Sequence, residues 1–149
     1  MKTLLVLATL FFAANALDKD FIDKFVAEVK KVGETCIKEV SASEDDIKVL
    51  LSHNIPESHE GKCLIFCFHK NFHIQNEDGS IDKDGAAKAL EPLKEQDEDV
   101  YNKMVTVFKN CEGTPVESDS CDYAASLATC AAKEGKALGL DQLLAEIEI

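Results

Sequence analysis

Apolar residues recur along this chain at helical spacing. Nowhere do they alternate with the period of two that a half-buried strand requires over a useful length. Phe21, Ile22, Phe25, Val26, Val29, Val32, Cys36 and Val40 fall on one face at about 100° per residue. They predict an amphipathic helix of about twenty residues. The run Ser43-Glu44-Asp45-Asp46 opens a second helix with acids in its first turn, and Asn54-Ile55-Pro56 closes it. A third helix is predicted over residues 60–75, ending in the turn Asn76-Glu77-Asp78-Gly79-Ser80. A short helix over 82–90 follows, with Pro92 beyond its end or kinking it. Tyr101, Met104, Val105, Phe108 and Cys111 form the next stripe. Thr114-Pro115 marks a loop, and the Ala-rich stretch 119–138 is the last clear helix. There is no internal repeat and no long flexible linker. The fold class read from this pattern is all-α, about six helices in one domain.

The third helix is apolar on two sides. On a wheel Cys63, Cys67 and Ile74 share one side, while Ile65, Phe68 and Phe72 lie nearly opposite. A helix of that kind sits between two layers. One side is free to be stapled to neighbours while the other meets either ordinary core or a cavity.

Six cysteines, Cys36, Cys63, Cys67, Cys111, Cys121 and Cys130, follow a leader-like segment. Residues 1–16 carry Lys2, an apolar run over 4–14 and the small-residue sequence Ala14-Asn15-Ala16. This reads as a secretory signal peptide, its apolar run being too short to span a bilayer comfortably. The domain then covers 17–149, and the chain is expected outside the cell. An even set of cysteines in an exported chain indicates disulfides rather than metal ligands or redox chemistry. Six cysteines allow 15 pairings. Cys121 and Cys130, nine residues apart on one helix, lie roughly 13 Å apart on opposite faces and do not bond. Cys63 and Cys67 are one turn apart with near-parallel Cβ directions, a poor disulfide geometry. Ten of the 15 schemes avoid both pairs, and all ten remain open on these grounds.

Without the leader, 15 Lys and Arg face 28 Asp and Glu, a net charge of −13. Such a charge opposes nucleic-acid binding and docking on anionic membranes and favours solubility. The sequence has no nucleophile elbow, zinc-protease helix or phosphate loop. Six paired cysteines leave no catalytic thiol, so no enzyme and no cofactor are expected.

The signal, the helices and the pattern C-x26-C-x3-C-x43-C-x9-C-x8-C together resemble the pheromone and general odorant-binding proteins of insects, six-cysteine type. The C-x3-C, standing as Cys63-Leu64-Ile65-Phe66-Cys67, and the final C-x8-C carry most of the resemblance. It implies bridges Cys36–Cys67, Cys63–Cys121 and Cys111–Cys130, one of the ten open schemes. It also implies helices wrapped around an internal apolar cavity that carries an odorant, pheromone or lipid-like ligand, without catalysis, in a setting such as olfaction. Partners implied are a small hydrophobic ligand and a membrane chemoreceptor, with the protein a monomer or weak homodimer. The x43 gap is slightly long for the pattern, and a longer loop over 91–98 is expected. The alternative function is a secreted, disulfide-stapled protein-binding module.

Candidate cavity-lining residues are Val29, Leu50, Ile65, Phe68, Phe72, Ile81, Met104, Val105, Phe108, Leu127 and Ala128, each of which also suits plain core. Residues 80–91 partly imitate a calcium loop through Asp82, Asp84, Gly85 and Glu91, but Ser80 and Ala87 break it. A solvated turn before a helix is the better reading. His69 and His73 stand at i, i+4, a metal-capable spacing without a third ligand in the sequence; two partly exposed histidines are expected, and no metal. With His53 and His59 they concentrate four histidines in or beside the second and third helices, so ligand release on acidification is an expectation. The tail, with Leu143, Leu144, Ile147 and Ile149 among acids, either frays or folds back over the cavity.

Overall fold

The computed structural model describes residues 17–145. The expected signal peptide, and Ile147 and Ile149 of the tail, lie outside the described residues. Seven helices follow one another: α1 (Lys19–Val40), α2 (Glu44–Leu51), α3 (His59–Asn71), α4 (Lys83–Gln96), α5 (Glu98–Cys111), α6 (Ser120–Ala137) and α7 (Leu140–Ala145). The only β pairing among the described residues is an isolated antiparallel bridge between Gln75 and Ile81. The all-α reading holds, with a short seventh helix added to the six expected.

Local chemistry sets most of the starts. Asp18, Ser43, Ser58, Asp82, Asp97 and Asp119 each sit one residue before a helix, and each side chain accepts a backbone N–H of the first turn. Those N–H groups have no partner within the helix, so the caps satisfy them. Asp46 serves two helices. It closes a capping box with Ser43 at the start of α2, and its other oxygen accepts the Ser58 hydroxyl at 2.5 Å. Ser58 is itself the cap of α3. Gly61, in the first turn of α3, leaves room for this junction, since a Cβ there would lie 2.5 Å from Pro56 and 2.8 Å from Asp46.

Three boundaries differ from the sequence expectation. α4 does not stop before Pro92 but runs to Gln96 with the proline inside it. Leu93 packs on the α5–α7 cluster and Lys94 lies over the Tyr101 ring, contacts that hold the last turn despite the lost N–H. The longer loop expected over 91–98 is therefore absent. A single residue, Asp97, ends α4 and caps α5. α3 ends at Asn71, before the expected position 75, because His73 takes a left-handed conformation with φ 57°.

α3 lies between α1 and α6. Leu64 and Cys67 pack with Val32 and Cys36 of α1, whereas Ile65 packs with Ala124 and Ala125 of α6. The two-sided character is as expected, but its division is not. Phe68 and Phe72 go with Cys67 toward α1 rather than opposite it; Phe68 follows Cys67 directly on the helix, and Phe72 lies past its end. The rings of Phe68 and Phe72 stack with centroids 6.2 Å apart, and Phe25 of α1 meets Phe72 at the same distance. A third cluster joins Val100, Val107 and Cys111 of α5 to Leu140 of α7. Leu138 and Leu143 pack on it as well, so this part of the tail folds back against α5 and α6 rather than fraying.

Disulfides link these layers: Cys36–Cys67 joins α1 to α3, Cys63–Cys121 joins α3 to α6, and Cys111–Cys130 joins α5 to α6. No free cysteine remains. Cys63 and Cys67, one turn apart on α3, thus tie it to two different helices.

Candidate functional site

The α4–α5 hairpin carries an apolar hollow. Asp97 has extended backbone (φ −155°, ψ 107°) and turns the chain between the two helices in one residue. Tyr101, Val105 and Phe108 then stand at i, i+4 and i+7, one face of α5. Ala86 and Leu90 of α4 oppose them across a groove of about 190 Å³. The small side chains of Ala86 and Ala87 leave its width unfilled. Val100, Met104, Val107 and Cys111 occupy the adjacent face of the same helix and pack toward α6 and α7.

One end of the groove is charged. Lys83, in the first turn of α4, donates to the Glu112 carboxylate at 2.8 Å, and Lys109 stands one turn before Glu112. Lys109 makes no ion pair among the described residues. At the other end, toward the Asp97 turn, Leu90 and Tyr101 close the groove. A larger depression of about 500 Å³, lined by His73, Asp82, Asp84, Gly85, Lys88 and Ala89, has charged walls and suits water rather than an apolar ligand.

The expected lining residues are distributed over several sites. Val105 and Phe108 line the groove. Leu50, Phe68 and Phe72 pack around the Cys36–Cys67 bridge, and Ile65 and Ala128 belong to the α3–α6 cluster. Met104 joins the α5–α7 cluster, Leu127 is buried on α6, and Val29 and Ile81 are half-buried. Ala86, Leu90 and Tyr101 line the groove without having been singled out as lining. Tyr101 was visible in the α5 stripe, whereas nothing in the sequence distinguished Ala86.

The metal-capable spacing of His69 and His73 is not realised, because the helix ends between them and the His73 backbone turns left-handed. His59 lies within donor range of Cys63 and Cys121, but their sulfurs form a disulfide and are not thiolate ligands. The calcium-like stretch is not a loop. α4 begins at Lys83 inside it, and Asp82 accepts from Gly85 N–H as the helix cap.

Of the four histidines, His53, His59 and His73 are exposed and His69 is half-buried. His69 Nδ1 lies 2.7 Å from Gln75 Oε1, and Gln75 Nε2 donates to the Gly79 carbonyl at 2.7 Å. The Gly79 carbonyl requires a donor, which orients the amide. Its oxygen then accepts from an Nδ1–H tautomer of His69. Burial pushes the His69 pKa below the ordinary imidazole value, against the smaller opposing effect of Gln75.

The unfolded ring therefore binds a proton at a higher pH than the folded one. Stability is full above about 6.5 and falls as pH drops toward the folded value. Asp46, Asp78 and Asp119 hold lowered pKa values through hydrogen bonds, from Ser43, from Ser80 and from the Asp122 N–H respectively. Their contribution is present above about 3.9 and is lost only as pH falls through their lower folded values. Urea unfolding at pH 7.5 and 5.5 should thus show a lower midpoint at 5.5, with the difference reduced in His69→Asn. An equal drop in the variant would place the effect elsewhere.

Residues 18–134 match the PBP/GOBP family. The chain is 30% identical over 111 residues to general odorant-binding protein 19d of Drosophila melanogaster, covering 74% of each. It is 25% identical over 140 residues to general odorant-binding protein 28a of the same fly, covering 93% of this chain and 98% of the relative. Its fold is similar to the solved structure of the Drosophila 28a protein, with a TM-score of 0.64 at 24% identity over 80% of this chain and 98% of that one. It is also similar to a medfly odorant-binding protein, with a TM-score of 0.59 at 23% identity over 82% and 99%.

Proposed function

We propose that this chain, which belongs to the PBP/GOBP family, is an extracellular carrier of small hydrophobic molecules that acts by binding, without catalysis. The observation that carries the reading is the groove between α4 and α5, walled by Leu90, Tyr101, Val105 and Phe108. Bridges on α3, α5 and α6 brace the framework around it. Disulfides stabilise a fold chiefly through its unfolded state, so a stapled protein tolerates an unfilled apolar hollow. No helix of the described residues is long and apolar enough to cross a membrane. The leader-like first 16 residues agree with export. The alternative, a protein-binding module, calls for a contiguous apolar patch. The exposed large apolar residues Phe25, Leu51 and Val116 instead lie on three separate segments.

Binding is tested by displacement of a fluorescent apolar probe from the disulfide-intact protein. Each buried methylene contributes about 0.8 kcal/mol before ordering costs, and a groove of about 190 Å³ takes only a short tail, so an alcohol such as 1-octanol is expected to compete at roughly 0.1–1 mM. Phe108→Ala removes part of the wall. Loss of a half-buried phenyl contact is worth about 1–2 kcal/mol, a weakening of about 5- to 30-fold. No uptake of any long-chain alcohol, aldehyde, ester or fatty acid would favour the protein-binding reading.

A further inference from the structure

We infer that the α4–α5 groove selects amphiphiles with a carboxylate head, the tail lying on Leu90, Tyr101, Val105 and Phe108 and the head between Lys83 and Lys109. This rests on the carrier reading and adds the chemical class of the ligand.

The argument begins with the polarity of the groove. α4 and α5 are joined by one residue, so they run antiparallel and the start of α4 lies beside the end of α5. Lys83 from the first turn of one and Lys109 and Glu112 from the last turns of the other therefore share one end. The opposite end holds Leu90 and Tyr101. A ligand polar at one end and apolar along its length matches this gradient in one orientation.

Charge then decides the head group. Two lysines and one glutamate leave the polar end with a net charge of +1, in a chain whose formal charge is −12. Glu112 is taken by Lys83 at 2.8 Å, while Lys109 has no ionic partner among the described residues. An anionic head completes the pairing of Lys109 and shares the N–H donors of Lys83. A cationic head meets net repulsion, and a neutral hydroxyl gains a hydrogen bond without the charge. A volume of about 190 Å³ holds about six water-sized groups. The tail it fits is therefore short, of the order of a C6–C8 chain.

Octanoate and 1-octanol share a tail and differ in the head, so the pair separates this inference from the carrier reading. At pH 7 the carboxyl of octanoate is ionised, well above the ~4.3 of an unperturbed carboxyl. Both ligands should displace the apolar probe, with octanoate the tighter at low salt. Raising ionic strength from about 0.01 M to about 1 M cuts the screening length from about 30 Å to about 3 Å. It should weaken octanoate at least about threefold and leave octanol unchanged or tighter. Lys109→Glu should weaken octanoate about fivefold or more with octanol within about twofold, the retained octanol binding showing that the variant is folded. Val105→Trp fills the groove and should abolish binding of both. Octanol binding as tightly as octanoate, with no salt dependence, overturns the carboxylate inference and leaves the carrier reading standing. Octanoate binding that survives Val105→Trp places it outside the groove and overturns the inference. Binding of neither ligand overturns both readings.

Discussion

Replacing Cys36 and Cys67 together by alanine is expected to lower stability by about 5 kcal/mol. This should be about equal to the cost of removing Cys63–Cys121, even though that bridge closes the longer loop. The sequence separations are 31 and 58. Loop entropy makes the longer one worth more by only about 0.5 kcal/mol, on base values of about 3.7 and 4.2 kcal/mol. Burial works the other way. Cys36 is fully buried and Cys67 nearly so, whereas in the other bridge Cys121 is buried and Cys63 only half-buried. Each sulfur lost from a packed core forfeits about as much as a methylene, ~0.8 kcal/mol, so the fuller burial of the first pair offsets most of the loop-length difference. The Asn71 amide, 3.7 Å from both sulfurs of this bridge, also loses its contacts. Urea unfolding of the two double variants gives the order. A midpoint loss for the Cys36/Cys67 variant clearly smaller than that for the Cys63/Cys121 variant would show that loop length outweighs burial here.

The bridges also show where sequence reasoning stops. Helix geometry excluded two pairs and left ten schemes, because spacing constrains only cysteines that share a helix. Choosing among the ten required the resemblance carried by Cys63-Leu64-Ile65-Phe66-Cys67 and the terminal C-x8-C. α1, the Ser43 capping box and α6 were legible for local reasons, namely a long apolar stripe, a cap with acids behind it and an Ala-rich run after Asp119. The extent of α4 was not. The intrinsic cost of Pro92 argues for a stop, and only the packing of Leu93 and Lys94 on later helices reverses it. The groove was hidden for a related reason. Tyr101, Val105 and Phe108 have the same spacing as Val100, Met104, Val107 and Cys111, one position over. Periodicity marks both as apolar faces and does not distinguish the one packed on α6 and α7 from the one left toward α4. The same ambiguity spread eight of the eleven expected lining residues over three packed clusters and one groove, and left Val29, Ile81 and Leu127 outside all four.

Gln75→Leu is expected to cost about 3 kcal/mol although the new side chain is apolar and of similar size. Gln75 is 2% exposed, and both ends of its amide are used. The oxygen accepts from His69, and the nitrogen donates to the Gly79 carbonyl. Leucine leaves the His69 Nδ1–H and a buried Gly79 carbonyl without partners, each costing about 1–3 kcal/mol, against a favourable burial contribution of similar kind to that lost. Little relaxation is available to soften this. Gly79 has φ +86°, and even a Cβ there would fall 2.3 Å from Ser120 Oγ, so the turn is pressed against the first residue of α6. The adjacent Cys121 fixes that end of α6 to α3. Gln75→Glu separates hydrogen bonding from packing. Its carboxylate still accepts from His69 but presents an oxygen to the Gly79 carbonyl, so it repairs one contact and turns the other repulsive. The Glu variant should also raise the pH at which His69 protonates, because a carboxylate favours the charged ring where burial alone opposes it. Two-dimensional NMR of the imidazole resonances reads that shift directly, and urea unfolding reads the stability. A leucine variant as stable as the parent, with an unmoved His69 titration in the glutamate variant, would mean that the His69–Gln75–Gly79 chain does not hold the turn between α3 and α4.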